Sequence, residues 1–513
     1  MKFLAPGSCP TSGVLPNPRL VSATFHKDTD VSSQVLDQFF TIFAQFVDHD
    51  FTLTPTYTVP DCCGTPSDTA RCAPIIVSND PFYNGGKCLK FTRSLVFCED
   101  LGCVTDPMNT LTAYIDASQV YGSDNGNALA LRALVGGKMA TSGVNLLPIV
   151  NGAFKGGDSR ALEHPALGAM HTVFVREHNR IAQFIQTKFP AWTDEKIFQQ
   201  TRRILIAEYQ NIVFGEMLPL ILGTDAVFPA TVSSTVYDAT VDSSILNEFA
   251  VAAFRFGHTL LNGKFNRFEP STGTLLDSYM LRFNFNAALY QEDPDRGMTQ
   301  ILKGLTLQPA QEFDQFITNE VTQFLFSKQT DNFLFGEDLV TRNLQRGRDH
   351  SIQPWLSYRA WCGIPTANDW SVIPPEISPA KWATLKTLYT FVSDIDLFTG
   401  GLAEDPVTGG TVGNTFACII QSQFQRLING DRFFFANPST VGSQFYPSQI
   451  SALRNVKMRD ILCKASPTLA RIQPQVFKAA TAAGTANAPE ACTNAHNLNI
   501  NIFFGKFLFI VGF

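Results

Sequence analysis

The segment Gln45-Phe46-Val47-Asp48-His49-Asp50-Phe51 sets three ionisable side chains in a row on an otherwise apolar stretch, FAQFVDHDF. Burying a carboxylate costs on the order of several kcal/mol unless it is paired, bound to metal or covalently modified. Asp48 and Asp50 therefore each require a partner. A second histidine, His258, lies in FAVAAFRFGHTLL, three residues after Arg255 and directly after Gly257. A glycine there lets a bulky planar group approach the backbone. A single histidine on an apolar stretch is more often a satisfied core residue than a ligand. Here the flanking acids of the one and the Arg-x-Gly setting of the other favour chemistry.

Two further clusters carry polar groups at useful spacing. Gly157-Asp158-Ser159-Arg160 runs into Ala161-Leu162-Glu163-His164-Pro165. Arg160 and Glu163, three apart at a helix start, form a surface ion pair on the plainest reading. Thr112-Ala113-Tyr114-Ile115-Asp116-Ala117-Ser118 alternates oxygen donors every second residue. That alternation can present hydroxyl, carbonyl and carboxylate oxygens to one hard cation, although an ordinary half-buried loop has the same pattern.

The elements that must hold these residues read as helices. Apolar residues at helical spacing predict a helix over 311–328, with Glu312, Asp314 and Glu320 opposite. Pro165 opens a helix running to about 189, since proline suits the first helical position. Thr193 caps another, with Asp194 and Glu195 in its first turn. The stretches 35–48 and 245–261 read as nearly all-apolar, buried helices. Irregular Pro/Gly-rich segments occupy 60–107, 136–158 and 374–379. There is no internal repeat and no long linker. The expectation is a mainly α protein with little β: an extension over 1–30, one large helical body over 31–470, and a C-terminal segment over 471–513.

Composition narrows the class. Of 513 residues, 44 are Phe and only 16% are charged, against about 25% in typical soluble proteins. This is an aromatic interior under a thin charged coat, which excludes a disordered chain. The net charge of −6 and the lack of a basic cluster exclude a nucleic-acid footprint. Eleven cysteines without zinc-type spacing predict disulfides formed in an oxidising compartment. The odd count leaves one over, Cys63 or Cys9 being the candidates, and pairings among the early cysteines stay open. No Asn-x-Ser/Thr acceptor with x other than Pro occurs. Residues 1–7 lack the apolar region of a signal peptide, so the sequence is expected to begin inside a longer precursor. The apolar tail over 503–513 is too short to span a bilayer.

The chain resembles the animal-type haem peroxidases of the peroxidase–cyclooxygenase superfamily. The resemblance rests on QFVDHDF, LTAYIDASQVYGS, GDSRALEHPAL, MHTVFVREHNRIA, FRFGHTLL, NLQRGRDHSI, SDIDLFTGGLAE and CIIQSQFQRLINGDRFFF, in family order from about 36 to 465. It implies a single large helical domain with haem between a distal and a proximal helix. It implies reduction of hydrogen peroxide through a ferryl intermediate and oxidation of halide, thiocyanate or phenol and tyrosine donors. His49 resembles the distal base and acid, Arg160 the distal arginine, and Gln45 the residue beside the halide and water site. His258 resembles the iron ligand, Asn343 its hydrogen-bond partner, and Arg255 an arginine beside the haem. Asp48 and Glu163 match the residues that become esters of haem b. Asp50, Thr112, Tyr114 (through its carbonyl), Asp116 and Ser118 match a calcium site. Cys362 with Cys418, and Cys463 with Cys492, resemble family disulfides. A secreted protein is implied, with no clear membrane span.

One departure matters. Where myeloperoxidase carries a methionine bonded to haem directly after the ester-forming glutamate, this chain has His164. The resemblance then implies a weaker oxidant that favours bromide, iodide, thiocyanate or phenols over chloride. Two other classes compete. A fatty-acid dioxygenase or cyclooxygenase needs a radical-bearing tyrosine near the proximal histidine, three residues before it in cyclooxygenases, where this chain has Arg255. A non-catalytic haem-fold matrix or adhesion protein would be expected to lose His49 and Arg160 first, and both are present.

Overall fold

A computed structural model describes residues 15–504 apart from 65–66, 84–86, 98–105, 144, 151–152, 224–236, 287–293, 438–443 and 482–483. Its frame is helical, and the strands among the described residues form only two-stranded antiparallel sheets. Three long helices centre the core: Gln38–Phe51, Pro165–Lys188 and Asp194–Ile212. The first packs on the second, and the second on the third. Phe46 stacks on Phe174 with ring centroids 4.8 Å apart, and both rings meet Tyr209 of the third helix. The phenylalanine-rich composition thus becomes one aromatic seam between helices.

The local signals that set these helices are visible in their caps. Pro165 occupies the first turn of its helix, and His164 caps it by accepting from the Leu167 amide. Thr193 accepts from Lys196 N, with Asp194 and Glu195 in the first turn. The run Asp194–Leu222 is long and apolar enough to cross a membrane by composition, yet 72% of its apolar window is buried inside the protein, as in a core helix. It includes a π turn, Val213–Met217.

Three expected helices come out differently. The apolar stretch beginning at 35 is not helical throughout. Ser32–Asp37 pairs as a strand with Pro309–Gln311, Asp37 caps the helix by accepting from Phe40 N, and the helix runs on to Phe51. The stretch 245–261 is broken: a short helix, Asn247–Val251, ends at Ala252, and a 3-10 turn, Ala253–His258, follows. The long helix over 311–328 is absent. Only Asn319–Thr322 is helical there, while the Asp314 side chain accepts from Phe316 N in a turn. Phe313, Ile317, Val321 and Leu325 are nonetheless buried. Burial at helical spacing was satisfied by irregular backbone.

Disulfides join Cys362 to Cys418 and Cys463 to Cys492, as the resemblance implied. Cys62 pairs with Cys72 and Cys63 with Cys88. Cys63 is therefore not the odd thiol. Cys9, Cys98 and Cys103 lie outside the described residues, as does most of the apolar tail.

Candidate active site

A cavity of about 380 Å³ lies between the helix Gln38–Phe51 and the turn Ala253–His258. Gln45, Asp48 and His49 reach it together because residues three and four apart share a helix face. Arg160, Glu163 and His164 complete that wall, and Arg255, Gly257, His258 and Asn343 form the other. A Cβ placed on Gly257 would meet nothing within 4 Å. The backbone is bare where it faces the cavity.

On the first wall, the ion pair expected between Arg160 and Glu163 does not form. Asp158 takes the arginine instead: it accepts from Arg160 Nε at 2.9 Å, Nη2 at 3.0 Å and the backbone N at 2.8 Å. A second bond runs from Nη2 to the Thr52 carbonyl at 2.8 Å. Burial is the largest single influence and would raise the Asp158 carboxyl, but the Arg160 charge, His49 and the hydrogen bonds from Arg160 together more than offset it and hold the group at about 2. His49 is 4% exposed. Burial, with the Arg160 charge adding to it, holds its imidazole well below the ordinary range, so it is a neutral base. Asp158 is the functional residue that sequence reading missed, although its spacing of two from Arg160 was a usable local signal.

The remaining polar groups on this wall hold one another. His164 Nδ1 accepts from the Leu167 amide, so its Nε2 donates to Gln45 Oε1 at 2.9 Å. Gln45 Nε2 then donates to Glu163 Oε2 at 2.7 Å. Asp48 Oδ1 accepts from the Thr52 hydroxyl at 2.7 Å. Burial pushes both carboxyls upward, against the pull of Arg160. Burial thus penalises the charged form of each.

On the opposite wall, burial, with Arg255 adding, brings His258 down to about 3, so its ring is neutral and free to ligate. Asn343, from the helix Leu339–Asp349, donates from Nδ2 to His258 Nδ1 at 2.8 Å. Arg255 Nη1 donates to Asn343 Oδ1 at 2.6 Å, and its Nε to the Ala250 carbonyl at 3.0 Å. Three residues from two distant segments thus form one chain.

Behind the first wall, Asp50 is fully buried. Its carboxylate accepts from Ala117 N at 3.1 Å and Ser118 N at 2.5 Å, and the Ser118 hydroxyl donates to its carbonyl at 2.5 Å. Asp116 accepts from the Thr112 hydroxyl at 2.9 Å. Burial and then the Asp116 charge push Asp50 well above the carboxylate range. Asp50, Asp116, Thr112 and Ser118 therefore meet, with Tyr114 at the surface of the same loop. Among the described residues no three acids, histidines or cysteines cluster as a metal site. A cation here would rely on two carboxylates and neutral oxygens.

The family model described as animal haem peroxidase matches residues 4–477. The chain is 32% identical to chorion peroxidase of Aedes aegypti, over 96% of this chain and 66% of that protein. It is 33% identical to the peroxidasin homolog of Mus musculus, over 91% of this chain but 34% of that one. It therefore spans two thirds or less of these relatives' length. Among solved structures, Peroxidase A from Dictyostelium discoideum superposes with a TM-score of 0.79 at 28% identity, covering 93% of this chain and 94% of that one. A fatty acid alpha-dioxygenase of Oryza sativa shares the fold alone, with a TM-score of 0.72 at 16% identity, over 90% and 80% of the two chains. With the family model matching nearly the whole chain, and His49 and His258 lining one cavity, the chain belongs to the animal haem peroxidase family.

Proposed function

We propose that this protein is a secreted haem peroxidase that reduces hydrogen peroxide and oxidises small halide, thiocyanate or phenolic donors. The observation that carries the reading is the cavity walled by neutral His49 with Arg160 on one side and neutral His258 on the other. The cavity also fits the group chemically. Gly257 leaves the backbone bare, and a neutral imidazole is what iron ligation needs. Haem, when bound, supplies the redox chemistry that passes electrons from donor to peroxide.

His258 would ligate the iron. Asn343 stands 2.8 Å from its Nδ1. Such a partner orients the ligand and tunes the metal. His49 takes a proton from peroxide and returns it to the departing oxygen. Arg160, anchored by Asp158, provides the positive charge beside that oxygen. Gln45 stays fixed between His164 and Glu163, where it borders the donor's approach. Asp48 and Glu163 would hold the haem as esters, which removes the burial penalty of their charges. Asp50, Asp116, Thr112, Ser118 and the Tyr114 carbonyl would hold calcium, tying the helix of His49 to a distant loop. Four disulfides among the described residues support an oxidising compartment. The cyclooxygenase reading loses ground because Arg255, engaged with Asn343, stands where those enzymes carry the radical tyrosine.

Purified protein should show a Soret band, contain calcium with its iron, and oxidise guaiacol only when peroxide is added. A Soret band without that oxidation would establish a non-catalytic haem-fold protein instead. His164 offers no thioether sulfur next to Glu163, so bromide and iodide should be oxidised readily and chloride poorly. Efficient hypochlorous acid formation at neutral pH would contradict this. Asp48→Asn should make the haem more extractable by acid than in the native chain. Native haem that is already freely extractable would remove the ester assignment.

A further inference from the structure

The roles assigned above leave the groups behind His49 unexplained. His49 Nδ1 is buried and has no hydrogen-bond partner. The nearest acidic atom is Asp158 Oδ1 at 3.7 Å, too far for a direct hydrogen bond. That same oxygen already accepts from Arg160 N and Nε. His171, on the helix Pro165–Lys188, is 1% exposed, and neither of its ring nitrogens makes a hydrogen bond of ordinary geometry. The Gln119 backbone lies near enough to act on it. His171 Nδ1 lies 3.3 Å from where a Cβ on Gly156 would stand, two residues before Asp158. Its ring meets Phe46, one helical turn before His49, edge to face with centroids 4.9 Å apart. His49, His171 and Asp158 also lie within electrostatic reach of one another.

Buried polar groups are nearly always satisfied, by protein or by ordered water. The unpartnered His49 Nδ1, 3.7 Å from Asp158 Oδ1, has a gap suited to a bridging water, and the unpartnered ring of His171 lies within electrostatic reach of both. The tautomer of His49 also has to be set. A neutral imidazole with its proton on Nε2 offers the cavity a donor and not a base. A carboxylate that holds the other nitrogen's proton solves this problem in other catalytic histidines.

We propose that Asp158 and His171 are positioning residues that hold the Nδ1 proton of His49 through an internal water, so that Nε2 is presented to the cavity as a free base. The proposal rests on the reading of His49 as the peroxide base. It gives Asp158 two tasks, anchoring Arg160 on one side and orienting His49 on the other. The competing view is that His171 merely fills the core and Asp158 serves Arg160 alone.

Cyanide binding to the ferric holoprotein separates these views without any turnover. Hydrogen cyanide must lose its proton before its carbon can bind iron, so the association rate reports on the base itself. His171→Leu should keep the Soret band and slow cyanide association by about 10- to 100-fold, the usual effect of losing an orienting partner. His171→Gln, which can still hold a water, should recover most of that rate. Equal rates in the wild type and the Leu variant would overturn the proposal. A Gln variant as slow as the Leu variant would overturn it too, because shape and not hydrogen bonding would then be at issue. Should His171→Leu fail to fold, wild-type crystals at atomic resolution decide. A water shared by His49 Nδ1, Asp158 and His171 supports the proposal, and a dry contact that leaves His171 unconnected overturns it. Wild-type holoprotein that reacts with peroxide no faster than His49→Ala would instead refute the role of His49, independently of His171.

Discussion

His49→Ala is expected to retain haem and to lose reactivity with hydrogen peroxide by about 100- to 10,000-fold, the usual contribution of a positioned acid–base group. The two effects separate because His49 lines the wall opposite His258 and has no ligating role. The residues left behind keep their places. Arg160 remains bound to Asp158 and to the Thr52 carbonyl, and Gln45 to Glu163 and His164. The loss is therefore one of proton transfer and not of cavity collapse. Stopped-flow recording of the Soret change after peroxide mixing measures it directly. An unchanged rate would remove His49 from the mechanism. Loss of the Soret band would mean that the histidine supports the cavity structurally.

The largest effect on stability is expected at Arg359. This arginine, 1% exposed in its side chain, pairs with Glu404, itself fully buried, at 2.7 Å, and also with Glu376. Glu404 accepts further from Trp355 Nε1 at 2.9 Å and from the Thr415 hydroxyl at 2.6 Å. The cluster joins three helices, Trp355–Trp361, Leu397–Ala403 and Asn414–Asn429, near the Cys362–Cys418 disulfide. The latter two helices pack against the turn that carries His258. Removing one partner of a buried pair strands the other charge and costs about 3–5 kcal/mol, so Arg359→Leu should lower the urea midpoint accordingly. Burial already pushes the Glu404 carboxyl upward. Without Arg359 the folded state favours the protonated acid still more, so the deficit should be small at low pH and grow as pH rises through the acidic range. A midpoint unchanged at neutral pH would show that the hydrogen bonds from Trp355 and Thr415 alone satisfy Glu404.

How far the site was legible depended on the range of each interaction. Gln45, Asp48 and His49 share a helix face by spacing alone, and the structure places all three on one wall of the cavity. The helix Pro165–Lys188 was readable from its opening proline, and the next from its Thr193 cap. The expected helix over 311–328 failed because apolar spacing reports burial and not backbone path. Ser32 and Gln311 pair across the sheet there, and the chain turns at Asp314. The break at Ala252 was equally hidden, since an all-apolar run reads the same whether it is one helix or two pieces. Without that break the Ala253–His258 turn, which brings Gly257 and His258 to the cavity, would not exist.

By itself, the sequence determined the inventory: a histidine flanked by acids, a second after a bare glycine, a loop of alternating oxygens, and an aromatic core large enough to enclose them. These are matters of residue type and short spacing, which local sterics and burial translate directly. Only the tertiary structure decided the partners. Arg160 found Asp158 and not Glu163, His258 met an asparagine from a separate helix, Asp50 took the amides of Ala117 and Ser118, and His171 came to rest against Phe46, one turn before His49. Those choices depend on which segments the folded chain brings together, and a carboxylate, an amide or an imidazole carries no mark of its distant partner until the core closes around it.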